Sequence, residues 1–136
     1  MRNSFFVCLV LTGFSYAHAE ERTSKSYATC LEKAGGATFA MQDCISEELE
    51  RQDRRLNGAY QVLMDSLPEK RKTQLRDAQR KWIEFRDANC EFYYDPQGGQ
   101  AARLASNECV VTLTAERAHE LETLKKEGLH GLEWVN

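Results

Sequence analysis

Apolar residues recur at intervals of three and four along nearly the whole chain, and this period strongly limits the folds available to it. Leu49, Leu56, Tyr60, Leu63 and Leu67 are spaced by seven, four, three and four residues. Leu75, Ala78, Trp82, Phe85, Asn89 and Phe92 alternate threes and fours, and Leu113, Leu121 and Leu124 carry the pattern onward. Such spacing gathers side chains on one face of an α-helix, while Glu, Lys, Arg and Gln fill the remaining faces. Strict period-two alternation is missing. Val110-Val111-Thr112 could pass for a strand, but its flanks are helical. A chain of 136 residues, 42% of them hydrophobic, can build one core and is too short for two independent ones.

Punctuation sets the element boundaries. Gly35-Gly36 ends a short first helix, and Thr38 is placed to cap the next by accepting backbone hydrogen bonds. Pro68 falls where helices tolerate proline, in the first turn, with Ser66 before it as a cap. Pro96-Gln97-Gly98-Gly99 interrupts the third and fourth helices. The sequence therefore predicts helices over 24–34, 38–66, 68–94 and 101–127, then a tail punctuated by glycine. Short loops between long helices imply antiparallel neighbours. The expected fold is all-α: a small antiparallel bundle of three long helices plus a short N-terminal one, in a single domain over 20–136.

Residues 1–19 read as a secretory leader rather than part of that domain. Arg2 gives the positive start, Phe5 to Phe14 the apolar run, and Ala17-His18-Ala19 a small-x-small cleavage site. The run is ten residues, about half of a membrane-spanning helix. Cys8 lies inside it and not at the cleavage point, so no lipid-acceptor cysteine is expected. Behind the leader stand Cys30, Cys44, Cys90 and Cys109, an even set of four that in an exported chain reads as a disulfide framework. Zinc is the rival, but intervals of 13, 45 and 18 intervening residues contain no CxxC pair. Each of Cys30/Cys44 and Cys90/Cys109 sits at similar heights on the two arms of one helical hairpin, which favours those pairings over the alternatives. Both staple the bundle, and the compartment expected is the periplasm or the exterior of a bacterial cell.

Polar residues interrupt the apolar stripes. Arg117 falls between Leu113 and Leu121, Asp53 and Asn57 adjoin the Leu49–Leu56–Tyr60 stripe, and Gln79 and Arg86 flank Trp82. A buried arginine must be paired, so these five residues are expected to form a structural belt in which Asp53 or a neighbouring acid holds Arg117 or Arg86. The competing reading is that they line a binding cleft. Catalytic patterns are weak. His119 with Glu116 and Glu120 spans one turn of a charged helix, which reads as a solvated face. Ser24, Ser26 and Ser46 have no histidine partner in a recognisable motif, and Glu47, Glu48 and Glu50 are not placed across a cleft by their spacing. No phosphate-binding glycine loop, metal-ligand set, cofactor or enzymatic reaction is expected. The formal charge of −3 gives no footprint for nucleic acid.

Cys44, Glu48, Asp53, Leu56-Asn57 and Tyr60, then Leu75, then Ala78-Gln79-Arg80-Lys81-Trp82-Ile83-Glu84-Phe85-Arg86-Asp87-Ala88-Asn89-Cys90, then Cys109, Thr114 and Arg117 resemble the LprI-type lysozyme-inhibitor domain. The resemblance spans roughly residues 27–125, with its most specific part in AQRKWIEFRDANC. It implies a small exported bacterial helical domain that binds a lysozyme-type muramidase without catalysis. The alternative partner is another envelope protein or a peptidoglycan-related ligand. Asp95, Pro96, Gln97, Gly98 and Gly99 form the most protruding candidate for a partner-binding loop, against the plainer reading of a connecting turn. Loss of the leader would remove Arg2 as its one formal charge and leave −4, which favours encounter with a basic enzyme.

The exported protein is expected to begin at Glu20 and to take up no alkylating reagent before reduction. Intact-mass measurement checks both, and two or more reactive thiols in the unreduced protein would exclude the disulfide framework.

Overall fold

The computed structural model describes residues 22–127; the expected leader over 1–19 and the tail beyond Glu127 lie outside the described residues. Four helices follow in order: α1 (Lys25–Ala34), α2 (Thr38–Ser66), α3 (Glu69–Glu91) and α4 (Gly99–Glu127). No strand occurs among the described residues, and Val110-Val111-Thr112 lies within α4. Two disulfides join Cys30 to Cys44 and Cys90 to Cys109, with Cα separations of 5.7 and 5.4 Å. The all-α, doubly stapled bundle is the fold that the periodicity and cysteine placement predict.

Several boundaries move for local reasons. Ser24 is the N-cap of α1, its Oγ accepting from the Tyr27 amide. Gly35 closes α1 in the left-handed region at φ 56°, a conformation that a side chain would strain. The connection is so short that Ala37, not Thr38, occupies the N-cap position of α2, without a side-chain cap. Ser66 does not cap α3 either. It is the last residue of α2, and its hydroxyl donates to the Leu63 carbonyl. Pro68 stands just before α3 as its N-cap. At the far end α3 stops at Glu91 rather than 94. Tyr93 and Tyr94 donate to the carbonyls of Cys90 and Glu91 in tighter turns, and Pro96 disfavours helical geometry at Asp95.

Consecutive helices run antiparallel, yet the principal packed pair is α2 with α4, which run parallel. Gln42 meets Asn107 near the start of both helices, and Arg55 meets Glu122 further along both. One apolar cluster holds Tyr27, Cys44, Ile45 and Val111; a second holds Leu56, Leu63, Ala118 and Leu121. Helix α3 contributes to the second through Leu75 and Trp82 and has one fully buried residue, Cys90. It is an arm laid on α4 rather than a full member of the core.

Its attachment depends on covalent closure at the upper end. Replacing Cys90 and Cys109 together by serine is expected to cost about 3 kcal/mol, the chain-entropy value for a loop of this size. Hydrogen exchange should accelerate first in the last turns of α3 while α2 stays protected; equal acceleration in both would refute the arm description.

Candidate functional site

Arg117 and Arg86 both close on Trp82. Their guanidinium carbons stand 5.9 and 5.2 Å from its ring centroid, within cation–π range. Arg117 donates from Nε to Gln79 Oε1 at 3.0 Å and from Nη1 to Glu120 Oε2 at 2.7 Å. Arg86 donates to Asp87 Oδ1 and, at 3.3 Å, to the hydroxyl of the fully buried Thr114. Asn89 Nδ2 approaches the Cys109 sulfur at 3.6 Å. Gln79, Trp82, Arg86, Asn89 and Cys90 lie at helical spacing, so the AQRKWIEFRDANC segment supplies the seam between α3 and α4.

The structure thus brings together Gln79, Arg86 and Arg117 and leaves Asp53 and Asn57 apart. The expectation that Asp53 holds either arginine is corrected: both find their partners on α3 and α4. Arg86 sits on α3, which packs on α4 far more than on α2, and Arg117, although on α4 beside α2, meets Gln79 and Trp82 of α3 instead of Asp53. Asn57 is exposed and Asp53 half-buried. Arg117 and Glu120 form a wall between two recesses. One is an open groove of about 520 Å³ lined by Trp82, Phe85, Leu113 and His119, and the other, of about 280 Å³, is lined by Leu63, Leu67, Leu75 and Ala78. The two acids beside His119 are engaged elsewhere, Glu116 with Arg22 at 3.2 Å and Glu120 with Arg117. No grouping of three or more His, Cys, Asp or Glu suited to a metal ion occurs among the described residues.

The deepest charge lies in a group that the stripe analysis did not single out. Glu48 is 0% exposed, and its carboxylate accepts from Ser24 N at 2.7 Å, Ser24 Oγ at 2.6 Å, Gln52 Nε2 at 2.6 Å and Arg51 Nε at 2.9 Å. Gln52 and Arg55 also donate to the Arg22 carbonyl, and Arg55 forms a two-pronged pair with Glu122 at 2.7 Å on each prong. Burial pushes the Glu48 carboxyl up, but its four donors outweigh that and hold it below its ordinary value of 4.5. Hydrogen bonding from Arg55 likewise lowers Glu122. The available signal was spacing: Glu48, Gln52 and Arg55 recur at four and three residues beside Cys44, Ile45 and Leu56.

The Asp95–Gly99 loop is exposed throughout and internally braced. Asp95 Oδ1 accepts from the Gln97 amide at 2.8 Å, and the Asp95 carbonyl accepts from Gly98 N at 2.9 Å. A Cβ at Gly98 would stand 2.7 Å from that of Ala102, so this position must stay bare for the loop to enter α4. Just before it, Phe92, Tyr93 and Tyr94 are 87%, 52% and 40% exposed. Phe92 continues the three-and-four spacing of α3, but the helix ends before it, and it faces solvent.

Two expectations separate the seam from the buried group. Arg117→Ala loses one cation–π contact and one amide bond while its acid, Glu120, remains solvated, so it should cost about 1–2 kcal/mol. The 3–5 kcal/mol penalty of a stranded buried acid therefore does not apply. Glu48→Gln places an amide NH₂ against donors and should cost about 3 kcal/mol; denaturant titration that reversed this order would refute both assignments. The pH dependence follows from the same groups. Glu48 and Glu122 bind protons less readily when folded, so their stabilisation is complete above 4.5 and is lost as pH falls below it. Tyr27, pushed up from 10.0 to about 12 chiefly by burial and then by Glu108 and Glu48, keeps its proton in the fold, so its contribution is lost between those values as pH rises. Melting temperature should fall at both edges; an unchanged value down to pH 3 would exclude the carboxylate account.

Residues 30–121, more than half of the chain, match the family described as lysozyme inhibitor LprI. An uncharacterised protein of Rhizobium meliloti (strain 1021) is 26% identical over 95 residues, covering 60% of this chain and 68% of that protein. No solved structure matches. The matched region begins at the first disulfide cysteine, contains the whole α3–α4 seam and ends at the buried Leu121. By this match the chain belongs to the LprI lysozyme-inhibitor family.

Proposed function

We propose that this protein is exported, with residues 1–19 as a cleaved leader and 20–136 as one domain, and that it binds and blocks a lysozyme-type muramidase without catalysis. The family match over residues 30–121 carries this reading. Physical features are consistent with it. Disulfides persist in oxidising compartments outside the cytoplasm, where a muramidase would be met. No helix among the described residues is long and apolar enough to cross a membrane. The α3–α4 hairpin, closed by Cys90–Cys109, ends in a braced exposed turn that can enter a cleft with little loss of freedom. The partner is thus a cell-wall hydrolase, and inhibition is by occupation of its sugar-binding groove. Acidic side chains would speed the encounter with a basic enzyme.

Purified oxidised protein should slow the clearing of a cell-wall suspension by at least one of several lysozyme types, with the effect saturating near equimolar amounts. No inhibition of any type at large molar excess would transfer the reading to an envelope-interaction module of other specificity. Inhibition that survives deletion of Gln97 to Gly99 would keep the function and remove that loop segment from the contact.

A further inference from the structure

Large apolar side chains left in water need a reason, and the end of the α3–α4 hairpin has three in succession. Phe92, Tyr93 and Tyr94 are 87%, 52% and 40% exposed, and none belongs to either core cluster. Phe85, seven residues before Phe92 and so on the same side of α3, is also exposed and extends the patch along the arm. The packing of α3 uses Leu75, Trp82 and Cys90 instead. The backbone that carries the three rings is nevertheless held in place. Cys90, two residues before Phe92, is tied to Cys109, and Tyr93 and Tyr94 donate into the last turn. Phe92 and Tyr93 meet edge to face at 6.0 Å.

We propose that Phe92, Tyr93 and Tyr94 are the insert that fills the sugar-binding cleft of the muramidase, an assignment that rests on the inhibitor reading above. The chemistry of the rings fits such a cleft. A tyrosine ring is flat, six-membered and tipped by a hydroxyl, close in size to one pyranose unit. Its O–H can donate to the paired carboxylates that glycoside hydrolases place across the scissile bond. Tyrosine ranks among the residues that dominate binding energy at interfaces, because it supplies much area with few rotatable bonds. Charge selects the same partner. Asp87 is neutralised by Arg86, and from there to residue 103 the chain has two further carboxylates, Glu91 and Asp95, against one cation, Arg103. This rim matches a basic enzyme and disfavours a second copy of the same tip by like-charge repulsion.

The test uses the oxidised protein with a basic chicken-type lysozyme, cell-wall turbidity for inhibition, and titration calorimetry for binding. Tri-N-acetylchitotriose, a short sugar oligomer that occupies the cleft, should compete with the wild-type protein. The triple variant F92A/Y93A/Y94A should bind at least ~30-fold more weakly, as loss of a hot-spot residue would give. Its helical circular dichroism should be unchanged, since the rings lie outside the core. Phe39→Ala, a truncation of a comparably exposed ring at the start of α2, should leave binding unaltered. Wild-type inhibition with the triple variant equally potent, or with no competition from the oligosaccharide, overturns the insert and leaves the inhibitor reading standing. Where the chicken-type enzyme is not inhibited, the same assays use the lysozyme type that is; absence of wild-type inhibition of every type overturns both. Self-association of the wild-type protein that the triple variant abolishes would assign the patch to a dimer and likewise overturn the proposal.

Discussion

The arrangement of the body depends on one buried carboxylate. Glu48 lies between the two apolar clusters of the α2–α4 pair and has no solvent exposure. A charge there is tolerated only with a full set of donors, and the four it has come from three residues: Ser24 in the N-terminal turn, and Arg51 and Gln52 on its own helix. Sliding α1 along α2 would carry Ser24 away and strip the carboxylate of two of its four donors. The apolar clusters reward proximity without fixing a register; the carboxylate accepts one register. Arg55 extends this polar layer to α4 through Glu122 and back to the chain before α1 through the Arg22 carbonyl.

On this fixed body α3 has a different physical character. Its seam with α4 is an indole within reach of two guanidinium groups, with one amide, one hydroxyl and a disulfide, and aliphatic contact mainly at the Leu75 end. Such contacts are directional. They fix which face of α3 turns inward while leaving most of its surface in water. An arm attached in this way presents its outer face and its tip as rigid surface, and the lower-end recess beside Leu63 and Leu67 shows how little of the arm the core requires.

Much of this was legible in the sequence, and the reason differs by feature. Helix number and approximate bounds follow from the three-and-four period, and the disulfide pairs from their heights on two hairpins. The cap falls at Ala37 rather than Thr38 because a tight glycine turn shifts it by one residue, and Ser66 caps nothing because α2 runs on through it and its hydroxyl turns back to Leu63. Gln79, Arg86 and Arg117 were correctly drawn together, but with the wrong acid. Asp53 lies beside the right stripe on α2, whereas Arg86 stands on α3 and Arg117 turns to the α3 side of α4. Glu48 was hidden in a run of exposed acids, Glu47 to Glu50, where composition says surface and only the heptad-like spacing to Gln52 and Arg55 says interior. The exposure of Phe92, Tyr93 and Tyr94 was the least legible, since aromatic residues at helical spacing ordinarily read as core.

The most specific segment of the resemblance, AQRKWIEFRDANC, turns Gln79, Trp82, Arg86, Asn89 and Cys90 toward α4. Similarity in those positions is similarity in how an arm is attached. Residues 92–99 make no comparable demand on the scaffold: beyond the bare Gly98 and the short turn hydrogen bonds, their side chains meet water. A fold built this way can keep its seam while its tip changes, so the seam certifies the framework and, on the inhibitor reading proposed above, the tip would set the target. Specificity among muramidases would then reside in about eight residues whose positions are fixed by the disulfide and whose identities the core leaves free.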